Sequence, residues 1–193
     1  ILSNYLFYEI LLEANMPEYA INFVPSDAEL FSQTIMSNKN LGALLFTGST
    51  TVFENLNEKC FKNFKNYNNY PRLIGETGGK NYHFLDTNID DLENVVKLTI
   101  ESAYNYSGQK CSSCSRIYVP RSLEHEFKSL YMELIYPFVK SQETYGLINS
   151  YNYERVKNII EYLNTDNCIK LIYGGKYDDK LNTYYIQPSL YEC

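Results

Sequence analysis

Leu41-Gly42-Ala43-Leu44-Leu45-Phe46-Thr47-Gly48-Ser49-Thr50-Thr51-Val52-Phe53-Glu54-Asn55-Leu56 is the stretch on which the fold turns. Leu41 to Phe46 is an apolar run of strand length. Beyond Thr47-Gly48-Ser49-Thr50 the period changes: Val52, Leu56, Cys60 and Phe64 recur at every fourth position, with Phe53 and Phe61 widening the stripe, which is the pattern of a helix. Tyr67 to Tyr70 is a polar linker, and Pro71 opens a second strand, Arg72 to Glu76. A strand, a helix and a strand at these lengths predict a parallel pair joined by a helical crossover.

The alternation continues in both directions. Upstream, Leu2, Leu6, Ile10 and Ala14 share one helical stripe that stops near Asn15, a residue suited to a left-handed cap, just before Pro17. Tyr19 to Val24 reads as a strand, and Asp27 caps a short helix reaching about Met36. Downstream, Thr77-Gly78-Gly79 is a breaker and Asn81 to Leu85 is extended. A helix follows from about Asp90 to Tyr104, acidic at its positive end and apolar at Leu92, Val95, Val96, Ile100 and Ala103. Ile117 to Val119 reads as a strand. Leu123 to Phe138 and Tyr153 to Leu163 carry helical stripes, and Cys168 to Tyr173 and Tyr184 to Gln187 close the chain as strands around Gly174-Gly175. The fold class is α/β with largely parallel pairing.

Composition narrows the function. The 193 residues carry 17 basic and 23 acidic side chains, a formal charge of −6, and 45% are hydrophobic. That apolar fraction fills a core, and the acidic balance argues against a nucleic-acid surface, which needs clustered Lys and Arg. No uncharged apolar run reaches the length of a membrane span. The five cysteines, Cys60, Cys111, Cys114, Cys168 and Cys193, are odd in number and irregular in spacing. They point to a reducing compartment, not to a disulfide scaffold. Ile1 falls inside an apolar-periodic segment and Cys193 directly follows a strand pattern, so the chain reads as an internal piece of a longer protein.

Three places can carry chemistry. At Gly48-Ser49-Thr50-Thr51-Val52 a backbone without a Cβ meets the N–H groups that open a helix, a geometry that suits phosphate or merely caps the helix. At Glu76-Thr77-Gly78-Gly79-Lys80 a carboxylate ends a strand beside two glycines, as a general base or as a solvated side chain. At Gly108-Gln109-Lys110-Cys111-Ser112-Ser113-Cys114 the competing readings are a nucleophilic Cys111, a redox pair, half a zinc site and a buried apolar thiol. His83 and His125 lack ligand spacing to these cysteines, so no metal is expected. His83, between aromatics, reads as a hydrogen-bonded interior group and His125 as surface.

In order and spacing, Phe46-Thr47-Gly48-Ser49, Glu76-x-Gly78-Gly79-Lys80 and Gly108-Gln109-x-Cys111 with Arg116 beyond resemble the aldehyde dehydrogenase superfamily. Pro17, Gly174-Gly175 and Gln187-Pro188 extend the likeness over the whole chain. Pro71 to Phe84 and Gly108 to Arg116 are similar to its 1-pyrroline-5-carboxylate dehydrogenase branch. Where most of the superfamily has a second glycine, five residues after Gly48, this chain has Phe53.

The resemblance implies the end of a Rossmann-like NAD-binding domain over residues 1–76 and the first half of an α/β catalytic domain over 77–193. It implies oxidation of L-glutamate γ-semialdehyde to glutamate with NAD, in proline breakdown in the mitochondrial matrix. Cys111 matches the nucleophile, Glu76 the base that activates water, and Gly48, Ser49, Thr50, Thr51 and Val52 the cofactor-contacting segment. Cys114 then needs no catalytic role. The partners implied are a small aldehyde and, for the full-length protein, further copies of itself. The superfamily's oxyanion-stabilising Asn and ribose-holding Lys lie upstream of the matching region, and its nicotinamide-ribose Glu lies downstream. Phe138 to Glu154 reads as shortened around Thr144-Tyr145-Gly146 and Asn149-Ser150. Because one oxyanion donor is worth about 10²–10³ in rate, the chain alone is expected to be inactive. The competing functions are oxidation of another aldehyde, and a non-catalytic thiol or interaction protein that keeps the fold.

Overall fold

The structure, a computed structural model, describes residues 1–141, 146–178 and 183–193. Its elements fall into two units, Ile1–Thr77 and Gly78–Cys193.

In the first unit α1 (Leu2–Glu13), α2 (Ala28–Ser37), β1 (Ala43–Gly48), α3 (Thr50–Lys62) and β2 (Arg72–Thr77) follow in order, with a single 3-10 turn at Phe64–Asn66. β1 and β2 pair in parallel, from Ala43 opposite Arg72 to Gly48 opposite Thr77, so β1–α3–β2 is the expected crossover. Asp27 accepts hydrogen bonds from the N–H groups of Glu29 and Leu30, both 3.0 Å, and so starts α2. Met36, Leu56 and Cys60 form the buried centre, flanked by Leu44, Phe46 and Leu73 from the strands. The stripe on α3 is narrower than its sequence period: Leu56 and Cys60 are buried, whereas Val52, Phe61 and Phe64 are exposed. The outer aromatics stack on one another, Phe61 on Phe64 and Phe64 on Tyr70.

The helix read at Leu2, Leu6 and Ile10 is present as α1, and the face they share is exposed. One expectation for this unit is corrected. Tyr19 to Val24 forms no strand. Tyr19 has a φ of 67°, which bends the chain out of extension, and the N–H of Ala20 closes a turn onto the Pro17 carbonyl. Phe23 instead rests against Tyr5 and Tyr8 of α1. Asn15 takes the left-handed conformation read for it, with φ 61°.

In the second unit β3 (Asn81–Phe84), α4 (Leu92–Tyr104), β4 (Cys114–Tyr118), α5 (Glu124–Ser141), α6 (Ser150–Thr165), β5 (Lys170–Tyr173) and β6 (Leu190–Glu192) follow in order. β3–α4–β4 is a second parallel crossover, and β5 and β6 pair antiparallel. Asp91 caps α4 through the N–H of Asn94 at 2.9 Å. Leu92, Val96 and Ile100 of α4 meet Phe127, Tyr131 and Ile135 of α5 around Leu85. Ile135 and Val96 have no exposed surface, so Ile135→Ala leaves a cavity and should lower stability in urea unfolding by about 2–5 kcal/mol.

Here too the strand limits shift. β4 begins at Cys114, three residues before the apolar signal, because its first residues pair with β3 through backbone and not through apolar side chains. Tyr184 to Gln187 is not a strand: Tyr184 has a φ of 53°, and only Ile186 bridges to Tyr177. The ladder forms further on, at Leu190–Glu192. Thr144 and Tyr145, where the chain reads as shortened, lie outside the described residues. Among the described residues no helix is long and apolar enough to cross a membrane.

Candidate active site

In the first unit the parallel register brings two sequence motifs to the same end of the sheet. Glu76 pairs with Thr47, and Thr77 with Gly48. The Glu76 carboxylate and the Gly48-Ser49 turn therefore share the carboxyl end of the strand pair, where open α/β sheets bind their ligands. Glu76 is exposed. Ser49 accepts a hydrogen bond from the N–H of Val52 at 3.3 Å and starts α3, whose first turn holds no acidic side chain. The remaining opening N–H groups lack helical partners, as at any helix start. This donor set, beside a glycine and with no acidic side chain in the first turn of α3, fits the diphosphate of a dinucleotide.

Phe53, the departure from the superfamily pattern, has a definite place. Its ring stacks on Phe46 with centroids 5.8 Å apart and planes 10° from parallel. The Phe53 ring fills the space where a Cβ on Gly75 would project, and the Phe46 ring does the same at Gly48. The aromatic pair thus accounts for a glycine next to Glu76.

In the second unit Cys111 lies on the loop from α4 to β4. Tyr106, Ser107 and Gly108 turn the chain with φ of 55°, 58° and 70°, all in the left-handed region. A Cβ on Gly108 would lie 3.0 Å from the Ala103 carbonyl oxygen. Gly108→Ala should therefore lower the melting free energy by about 1–2 kcal/mol from the backbone alone, measured by thermal or urea unfolding. The Gln109 side chain ties the loop sideways. Its Oε1 accepts from the Ile148 N–H at 2.9 Å and its Nε2 donates to the Tyr106 carbonyl at 3.0 Å.

The two cysteines of this loop differ in environment. Cys111 is exposed, whereas Cys114 is buried at the start of β4 with its Sγ on the Arg116 carbonyl at 3.2 Å. Burial pushes the Cys114 thiol up from its ordinary pKa, backbone hydrogen bonding from Arg116 and His83 acting the other way. Cys114 thus has the surroundings of an interior thiol and Cys111 those of a reachable one. Between them, Ser113 is buried with its hydroxyl unpartnered among the described residues. His83 is half-buried, its Nδ1 2.9 Å from Thr99 Oγ1. Thr99 donates its own proton to the Val95 carbonyl, so His83 Nδ1 is the donor of that pair. His125 is exposed. Both histidines lie as read from the sequence.

One contact had no signal in the sequence. The Asn81 carboxamide donates to the carbonyls of Cys111 and Ser113, a pairing across some thirty residues that no local pattern announces.

A profile of the aldehyde dehydrogenase family matches residues 1–192. The human mitochondrial delta-1-pyrroline-5-carboxylate dehydrogenase is 37% identical over 199 residues, covering 99% of this chain and 35% of that protein. The Agaricus bisporus delta-1-pyrroline-5-carboxylate dehydrogenase is 38% identical over 195 residues, with 97% and 35% covered. Among solved structures, the Mycobacterium tuberculosis delta-pyrroline-5-carboxylate dehydrogenase bound with NAD superposes with a TM-score of 0.85 at 28% identity, over 98% of this chain and 36% of its own. The chain thus spans about 35% of the length of these relatives. The fold is that of these α/β enzymes, and the chain belongs to the aldehyde dehydrogenase family.

Proposed function

We propose that this chain carries the nucleophile, the water-activating base and part of the cofactor site of an NAD-dependent dehydrogenase that oxidises L-glutamate γ-semialdehyde to L-glutamate. The observation that carries the reading is identity of 37% to the human enzyme across 99% of the chain, with Cys111 exposed on its loop. Residues 1–76 would be the end of the NAD-binding domain and 77–193 the first part of the catalytic domain. The relatives named as mitochondrial support a mitochondrial compartment, which the resemblance narrows to the matrix.

The chemistry runs through two side chains. The Cys111 sulfur, as thiolate, adds to the aldehyde carbon and forms a thiohemiacetal, splitting one difficult oxidation into two steps. Bound in this site, NAD would supply the acceptor for the hydride on that carbon, and Cys111 would then hold the acyl group as a thioester. Glu76 takes a proton from a water molecule whose oxygen attacks the thioester carbonyl, releasing the carboxylic acid and the Cys111 thiol. Gly48, Ser49, Thr50, Thr51 and Val52 would form the cofactor-contacting segment, with the N–H groups of the α3 start other than that of Val52, which Ser49 takes, turned to the diphosphate.

The test uses the complete product of the reading frame that encodes this chain, supplied with glutamate semialdehyde and NAD. NADH formation is expected, with a lower kcat/KM for aliphatic aldehydes that lack the α-amino acid end. Absence of NADH, or turnover confined to those other aldehydes, would overturn the assignment. The chain by itself, at about a third of the relatives' length, is expected to form none.

A further inference from the structure

We infer that Asn81 is a positioning residue for Cys111: its side-chain amide holds the nucleophile's peptide in place and so sets the rate of attack. The inference rests on the reading of Cys111 as the nucleophile. Asn81 is the first residue of β3, and its backbone pairs with Cys114, the first residue of β4. At that point the register slips, so that Tyr82 pairs with Arg116 and Ser115 is the extra residue of a bulge. Bulges re-aim side chains, and this one sits at the foot of the nucleophile loop. The Asn81 Nδ2 donates to the Cys111 carbonyl and lies 3.4 Å from the Ser113 carbonyl. One amide group thus joins two carbonyls of the turn closed by the Ser113 N–H on the Lys110 carbonyl, 3.2 Å.

A reciprocal contact locks the same seam. Arg116 reaches back from β4, its Nη2 2.9 Å from the carbonyl of Lys80. Gln109 holds the other flank of the loop, on the Ile148 N–H. A Cβ on Gly79 would lie 3.3 Å from the Asn81 Oδ1, close enough to press on that side chain. The carbonyl of Cys111 is one bond from its Cα, so a clamp on it limits where the sulfur can swing. A displacement of about 1 Å at a reacting atom costs on the order of 10²-fold in rate.

The test compares Asn81→Asp and Asn81→Ala in the complete reading-frame product, by single-turnover NADH formation alongside kcat and KM. Aspartate keeps the shape of asparagine but offers oxygen where two carbonyls need a donor. Both variants should slow single turnover by about 10–100-fold, Asp at least as much as Ala, with KM within about threefold of wild type. A role in filling space would spare Asp, so an Asp variant near wild-type rate overturns the inference. A rise in KM with an unchanged single-turnover rate overturns it as well. So does loss of the folded state by circular dichroism in either variant, because the inference assigns Asn81 to the loop and not to the fold. The underlying reading fails differently, through turnover that survives Cys111→Ser.

Discussion

Cys111→Ala should reduce aldehyde-dependent NADH formation by about 10⁴-fold or more, because removing a covalent nucleophile removes the whole two-step route and not one contact within it. The fold should be untouched. Cys111 is exposed, and its replacement leaves no cavity in the cluster of Leu85, Val96, Ile100, Phe127 and Ile135. Cys114→Ala makes the opposite test. That thiol is buried, contacts the Arg116 carbonyl and is shifted toward its neutral form, so its loss should cost stability but leave the chemical step within a few-fold. Thermal melting and NADH formation measured on the same two variants separate the roles. Equal loss of activity in both would return the pair to the reading of a working dithiol.

The second large effect belongs to Glu76. Glu76→Gln keeps the size and hydrogen-bonding capacity of the side chain but removes the basic oxygen, so thioester hydrolysis should slow by about 10²–10⁴-fold. The hydride step does not need that base. A stopped-flow trace should therefore show a burst of NADH of one equivalent per active site, followed by a slow steady state. Wild type should show a smaller burst or none, as hydrolysis keeps pace. The carboxylate projects from an exposed position opposite Thr47 at the strand end, so Gln at this position should leave the melting temperature unchanged. A Gln variant with neither burst nor turnover would place Glu76 before the hydride step, and one with full turnover would remove it from the mechanism.

Much of the fold is legible in the sequence. The change of period at Gly48, from an apolar run to a four-residue repeat, predicts β1–α3, and the strand after Pro71 completes the parallel crossover. Capping is equally local, which is why Asp27 starts α2 as its side chain suggests, whereas Asp91, read as part of the acidic first turn of α4, stands just ahead of that helix as its cap. The errors came where structure depends on distant partners. Six mostly apolar residues at Tyr19 to Val24 satisfy the composition of a strand, but a strand exists only beside another, and the left-handed Tyr19 turns that segment onto α1. The stripe on α1 shows the same limit, since periodicity orders a helix face without determining what covers it. At the candidate site, Cys111 and Glu76 each have an ordinary reading when taken alone, and only the ordered set of motifs resembling the aldehyde dehydrogenase superfamily singles them out. Asn81 is not singled out, because an asparagine opening a strand is ordinary until its amide is seen on the carbonyl of Cys111.

Mass spectrometry of the Glu76→Gln protein, quenched after mixing with glutamate semialdehyde and NAD, addresses the covalent route itself. The peptide containing Cys111 should carry the mass of the glutamyl acyl group, in an amount matching the NADH burst, while the peptides of Cys60, Cys114, Cys168 and Cys193 stay unmodified. NADH released in full with Cys111 unmodified, or the acyl group found on another cysteine, would contradict the account.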